Sequence, residues 1–257
     1  MYSALTCAVP PPAGARAFTR LELVAVLTAL SLLSLVVLPV LANTKPRGDR
    51  MTCLNNLRRV GQAEHLWASD HNEQMPWWVA VSDGGTRGTN LQNNAWYNYG
   101  MMTNELATPT ILTCPSDTET RVAHDFSSLA DGFFHPGNKN NAVSYFIGLD
   151  SFMMEVSPYY NQTTGRLSNK ALSGDRNLNP FIRNTTCASG VTVAAGVSNS
   201  QFGPPLPTVQ WTNAIHGMVG NLVMSDGQVI QTSNNRVNQR IAPGIDDNGV
   251  YHLLLPR

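Results

Sequence analysis

The sequence predicts an α+β protein: a long N-terminal helix, membrane-type in its first half and amphipathic in its second, packed on a head of antiparallel strands. Three observations lead there. The twenty residues from Leu23 to Ala42 carry no charge, and as a helix they would span about 30 Å, the thickness of a bilayer core. Apolar residues between Arg50 and Asp70 recur at near-helical spacing. Beyond Pro76 the sequence is irregular as far as Asn141, and after it short apolar runs alternate with Gly-, Asn- and Asp-rich turns, the pattern of strands.

Of the 257 residues, about 215 lie beyond the apolar run, enough for one domain with its own core. The formal net charge is zero, so there is no basic footprint and no nucleic-acid partner is expected. Charged residues make up 13%, about half the usual share; Asn, Ser, Thr and Gly supply the polarity, as on many exported proteins. The four cysteines, Cys7, Cys53, Cys114 and Cys187, form no CxxC pair, which argues against a zinc site. Cys7 precedes the apolar run. The other three make one pair plus a free thiol, or no pair; export would permit a disulfide.

The run is longer than a signal-peptide core and shows no polar face, so it reads as a membrane-inserted helix. Pro39 is expected to kink or end it, with Pro46 and Gly48 breaking the chain before the next helix. Arg16 and Arg20 precede the run and Lys45, Arg47 and Arg50 follow it, a balance that does not favour an N-terminus-in orientation. Two processing schemes fit. A signal peptidase could cut after Val40-Leu41-Ala42, leaving a soluble exported protein that begins at Asn43. Alternatively, the cut precedes the run, which is retained. Glu22 separates the two: a discarded signal has no use for a carboxylate there, and a lone one at the hydrocarbon edge is costly. A cut between Ala17 and Phe18 would create an α-amino group able to reach the Glu22 of a neighbouring copy.

At Ala17, Phe18, Thr19, Leu21, Glu22 and the run that follows, the sequence resembles the prepilin-type leader of type IV pilins and type II secretion pseudopilins. The residue before the cut is Ala17 rather than the usual Gly, and Arg20 replaces an apolar residue. The resemblance continues in Cys53-Leu54-Asn55-Asn56-Leu57, in Trp67, Ala68, Asp70 and Pro76, and in Cys114-Pro115-Ser116-Asp117. It implies a pilin-like fold with residues 1–17 as leader, 18–42 as transmembrane and assembly helix, and 43–257 as a periplasmic head. It also implies cleavage by a prepilin peptidase at Ala17–Phe18, N-methylation of Phe18 and an assembly role for Glu22. The implied protein is a structural subunit of a type II secretion or type IV pilus-like filament. It would be single-pass in the bacterial inner membrane, among its lipids, and later in a filament or at the cell surface. Its partners would be copies of itself, other pseudopilins and assembly-platform proteins. Cys53–Cys114 is the preferred disulfide, stapling helix to sheet; two buried free thiols are the alternative. Major pseudopilins bind calcium near the C-terminal end, which lends some weight to Asp246-Asp247-Asn248-Gly249 as a calcium loop; an ordinary turn is the alternative, and no cofactor is otherwise expected.

The remaining elements follow in order. Met51, Leu54, Leu57, Val60 and Ala63 recur every three residues, extended by Leu66 and Trp67, and Asn72 and Pro76 end this helix. "DGGTRGTN" lacks the Lys-Ser/Thr of a P-loop and reads as a flexible loop. "TPTILTCPSD" reads as a short strand and a turn, and "NAVSYFIGLDS" as a central strand apolar on both faces. "LSGDRNL" reads as a turn and "GVTVAAGV" as a strand. "GNLVMSDGQVIQT" reads as a hairpin on a two-residue Asp226-Gly227 turn, pairing Met224 with Val229 and Val223 with Ile230. "DDNGVYHLLLPR" closes with a turn and an apolar segment. Asn161 and Asn184 occupy sequons.

No enzyme is read. His65, His71, His124, His135, His216 and His252 form no HExxH, and GxSxG and GxGxxG are absent. His216, Asp226 and a serine could make a spatial triad, but any chain of this size offers such a trio, and His216 reads as a polar residue at the hairpin base. A different class of function is a membrane-anchored or secreted surface protein whose head recognises a glycan or protein through Trp77-Trp78, Trp96-Tyr97 or Tyr159-Tyr160.

Overall fold

The computed structural model describes residues 19–151, 170–179, 192–194, 209–241 and 251–256. The chain divides into two compact units, Met1–Lys45 and Pro46–Arg257. Helix α1, Arg20–Asp70, runs through both, and its backbone stays helical across Pro39 and Pro46 where a break was expected.

The first unit corrects the pilin-like fold class and, with it, the single-pass inner-membrane localisation. Among the described residues no helix is long and apolar enough to cross a membrane. Hydroxyl residues interrupt the apolar ones of this part of α1. Thr28, Ser31 and Ser34 follow one another at three-residue spacing, and their hydroxyls donate to the carbonyls of Ala25, Thr28 and Ser31 at 2.9, 2.8 and 2.8 Å.

In the second unit, an antiparallel six-stranded sheet of order β4-β8-β1-β2-β6-β7 forms the centre. Its strands are β1 Tyr145–Gly148, β2 Ala171–Asp175, β4 Thr192–Ala194, β6 Val219–Met224, β7 Val229–Ser233 and β8 Tyr251–Leu254. A smaller pair joins β3 Leu178–Asn179 to β5 Gln210–Trp211. Strand alternation sorts the side chains into two layers. Tyr145, Ile147, Leu172, Val223 and Leu254 pack with α1. Phe146, Ala171, Leu222, Met224 and Leu253 pack with Trp211 and with Val237 and Ile241 of helix α4, Asn234–Ile241. Two short helices, α2 Ala95–Met101 and α3 Thr103–Leu106, contribute Tyr99 and Leu106 to the α1 layer.

The buried face of α1 is Cys53, Leu57, Val60, Gly61, Ala63, Glu64, Trp67 and Ala68, which is a 3.6-residue stripe. The three-residue period read from the sequence drifts off it, and Met51 and Leu66 are exposed. The helix docks closely because Gly61 has no Cβ: one placed there would meet the Val223 side chain at 2.5 Å.

Four local expectations are corrected. "TILT" is not a strand: Pro109–Leu112 forms a 3-10 turn, begun by Pro109 in its first turn and by the Thr108 side chain accepting from the Thr110 N–H. "LSGD" is not a turn but most of β2, between β1 and β6. Gly174 permits this, since a Cβ there would meet the Leu222 side chain at 2.6 Å and the Asn221 carbonyl at 2.8 Å. The hairpin pairs Val223 with Val229 and Leu222 with Ile230, one residue off the expected register. Its loop has three residues, Ser225-Asp226-Gly227, with Gly227 at φ 81. "DGGTRGTN" is also tied down: the N–H groups of Gly85, Thr86 and Arg87 bond the carbonyls of Ala80, Pro76 and Val79.

Gly174→Ala is expected to lower the urea unfolding free energy by about 1–3 kcal/mol, because the methyl group meets neighbouring backbone as well as side chains. Equilibrium denaturation monitored by tryptophan fluorescence measures it; an unchanged midpoint would contradict the close β2–β6 approach.

Candidate functional site

Where α1 meets the sheet, four polar or sulfur-bearing residues from distant parts of the chain converge. Cys53 lies on the buried stripe of α1. Cys114 follows the Pro109–Leu112 turn, where its N–H donates to Ser144 Oγ at 3.0 Å. Asp175 ends β2, and its Oδ2 accepts the Asn221 N–H of β6 at 2.7 Å. His216 sits in the β5–β6 loop beside Gly217 and Met218, both at positive φ, and its carbonyl accepts from Arg50 Nη2 at 2.8 Å.

Cys53 and Cys114 are joined by a disulfide. His216 Nε2 faces Cys114 Sγ at 3.5 Å and Asp175 Oδ2 at 3.5 Å, the His216 and Asp175 side chains being fully buried. Beside them Arg176 forks onto Asp117 through Nε and Nη2 at 2.7 and 2.9 Å, and Thr120 Oγ1 donates to Asp117 at 2.6 Å. The Asp117–Arg176 pair borders an open cleft of about 180 Å³ also lined by Asn177, Thr212 and Ile215.

Burial drives both members of the Asp175–His216 pair towards their neutral forms. The Asp175 carboxyl is pushed up to about 7, chiefly by desolvation and also by the nearby Asp117 charge, against the opposing hydrogen bonds from Asn221. His216 is pulled down to about 4 by desolvation and by the Arg50 charge. At 3.5 Å the contact is too long for a strong hydrogen bond, so we assign the proton to Asp175 rather than an ion pair. A second buried acid lies on the α1 stripe. Neither oxygen of Glu64 has a hydrogen-bond partner among the described residues, and burial raises its pKa well above the usual carboxylate range.

With the sulfurs bonded, the cluster is a covalent staple between α1 and the loop ahead of β1. With the bond open, Cys53, Cys114 and His216 could hold a metal ion, since their ligand atoms lie within 4.8 Å of one another. Two sulfurs and an imidazole suit a soft cation and give calcium, a hard oxygen-seeking ion, no specific support.

The residues singled out in the sequence are placed as follows. Ala17 and Phe18 lie outside the described residues, as do Cys7, Cys187, the Asp246–Gly249 segment, Tyr159-Tyr160 and the sequons. Glu22 caps its own helix: its Oε2 accepts from Thr19 N at 2.8 Å and Thr19 Oγ1 at 3.0 Å, and Thr19 Oγ1 accepts from Glu22 N at 3.2 Å. This is a reciprocal capping box, and "TRLE" carries its T-x-x-E signature. The Thr19 hydrogen bonds hold the carboxyl below its usual range. Asp175 gave no signal in the sequence, because "SGD" looks like a turn. Glu64 is legible once the 3.6-residue stripe replaces the three-residue one.

Cys114→Ser is expected to cost about 4 kcal/mol, the loop entropy released by opening a link of sequence separation 61; urea denaturation of oxidised protein measures it. The buried pair gives a pH signature. In the wild type, unfolding between about pH 4 and 6.5 moves one proton from Asp175 to His216, so the pair contributes almost no slope. In Asp175→Asn only His216 of the pair remains, so relative to the wild type, which shares the contribution of Glu64, the unfolded chain binds more protons and stability should rise with pH towards 6.5. In His216→Gln only Asp175 remains, the folded chain binds more protons, and stability should fall as pH rises from about 4 to about 7. Each slope approaches about 1.4 kcal/mol per pH unit. Denaturation midpoints of both variants and the wild type at pH 4.5 and 6.5 decide it; changes of slope from wild type that have the same sign in both variants would contradict the neutral-pair assignment.

Comparison of the chain with protein-family models, curated proteins and solved structures found no match.

Proposed function

We propose that the protein is the structural subunit of a pilus-like filament, assembled by packing its N-terminal helix against the same helix of neighbouring copies. The observation that carries this is the apolar surface of α1 in the first unit. The Leu and Val side chains among Leu21, Leu23, Val24, Val26, Leu27, Leu30, Leu32, Leu33, Leu35, Val37 and Leu38 are 41–82% exposed. At 100° per residue they cover all but roughly 100° of the circumference, and an apolar surface that wide is stable only when it is covered.

Copies of the same helix supply such a cover. The polar groups of the stretch are satisfied within it: the hydroxyls of Thr28, Ser31 and Ser34 bond their own backbone, and Glu22 bonds Thr19. A neighbour need offer only apolar contact. The disulfide-stapled second unit suits an exported structural protein. The prepilin-like residues around Ala17 and Phe18 support the same reading, with removal of residues 1–17 by a prepilin peptidase and use in a type IV pilus-like or type II secretion filament. The alternative, a glycan- or protein-binding head, has less support. Trp77 is buried, and the indole N–H groups of Trp77 and Trp78 both donate to the Leu149 carbonyl at 2.9 and 3.3 Å. Trp96 packs edge-on against Phe134 and lies under Lys139 Nζ.

Purified protein should begin at Phe18 by N-terminal sequencing and form filaments in negative-stain electron microscopy. The double substitution Leu27→Asp/Leu30→Asp should stay dispersed in analytical ultracentrifugation while keeping its disulfide and near-ultraviolet circular dichroism. A dispersed wild-type protein, or a variant that assembles equally well, would refute the proposal.

A further inference from the structure

The disulfide cluster has the makings of a second state. Helix α1, the turn after Leu112 and the β5–β6 loop each bring one ligand to a common point, and Cys53, Cys114 and His216 are all buried. A tetrahedral zinc with metal–sulfur distances near 2.3 Å and metal–nitrogen near 2.0 Å places sulfur about 3.5 Å from nitrogen and the two sulfurs about 3.8 Å apart. The separation of Cys114 Sγ and His216 Nε2 is already 3.5 Å. The sulfurs must move apart, and Cys53 Sγ, within 4.8 Å of the other ligand atoms, must settle at about 3.5 Å from the imidazole nitrogen, adjustments that side-chain rotation can provide once the S–S bond is gone.

We propose that in the reduced chain Cys53, Cys114 and His216 bind a thiophilic divalent cation of the zinc class, and that metal binding and disulfide closure are mutually exclusive states of one site. The charges suit a buried position. Two thiolates neutralise a divalent ion and the imidazole binds as a neutral ligand, so the three-ligand group carries no net charge into the interior. The site has no CxxC signature because its ligands are gathered by the fold from positions 53, 114 and 216. The chemistry balances with a phosphine as reductant. The S–S bond takes up two electrons and, with water, two protons, while the phosphine gains the water oxygen and becomes the phosphine oxide. Binding of the cation then releases the two thiol protons.

The test uses the full chain carrying Cys7→Ser and Cys187→Ser, so that only Cys53 and Cys114 supply thiols. After phosphine reduction, cobalt(II) should bind with one-to-one stoichiometry and give thiolate charge-transfer and tetrahedral visible bands, and zinc should displace it. His216→Ala should weaken cobalt binding by more than the roughly 10–100-fold that loss of a hydrogen-bond partner to a metal ligand costs. Zinc should also slow re-formation of the Cys53–Cys114 bond at least about tenfold in the chain that retains His216, with EDTA restoring the rate. Absence of the cobalt bands, equal affinity in a folded His216→Ala variant, or disulfide closure indifferent to zinc would each overturn the proposal. The closure measurement decides the matter if His216→Ala fails to fold.

Discussion

The second unit depends on how closely α1 lies against the sheet. Gly61 lets the helix backbone approach Val223, and Cys53, two turns earlier on the same stripe, is bonded to Cys114. Between these points Leu57 and Val60 are fully buried, and below them Trp67 and Ala68 continue the contact. The first of these constraints is steric and the second covalent, and together they set the height and axial position of the helix. Tyr145 of β1 reaches the same place, its hydroxyl 3.4 Å from the Cys53 carbonyl.

That geometry accounts for an otherwise costly feature, the polar residues between helix and sheet. A helix held this close brings Cys53 to His216 and encloses Asp175 beneath the loop. Two ionisable groups are thereby removed from water without an ideal hydrogen bond between them. Burial penalises both charged forms, so one proton on the carboxyl leaves the pair neutral. The fully ionic charge nearby, Asp117, is satisfied differently, by a bidentate arginine and a hydroxyl at the edge of an open cleft. Partial solvent access and two parallel hydrogen bonds make an ion pair sustainable there, whereas the sealed interior favours neutralisation.

Parts of this were legible in the sequence for physical reasons. Val143 to Leu149 is apolar on both faces, and β1 is indeed covered on both, because a strand inside a sandwich cannot show alternation. The end of α1 near Asp70 was legible because Asn72 takes a left-handed conformation after it. Other parts were hidden because local chemistry pointed elsewhere. Ser173-Gly174-Asp175 has turn composition, yet its glycine serves a close approach between strands and its aspartate is buried. Asp226-Gly227 marks a hairpin correctly, but composition does not count loop residues, and the extra Ser225 shifts the register by one. The disulfide–His216–Asp175 cluster joins residues 53, 114, 175 and 216, and no spacing within the chain announces it.

Glu22 shows how one residue supports different inferences from sequence and from structure. A carboxylate at the mouth of an apolar run looks like an uncompensated charge in need of an external partner. In the folded chain it sits three residues beyond Thr19, where the unpaired N–H groups of a helix start make a negative charge favourable. Its position therefore has a sufficient local cause. What stays without local compensation in the first unit is the apolar surface itself. The hydroxyls along that surface are satisfied by their own helix, so its polar atoms do not dictate what lies beside it; the remaining demand is for apolar area around most of the helix. That demand is the physical ground for placing copies of the same helix there, and it stands whether or not Glu22 takes part in setting their register.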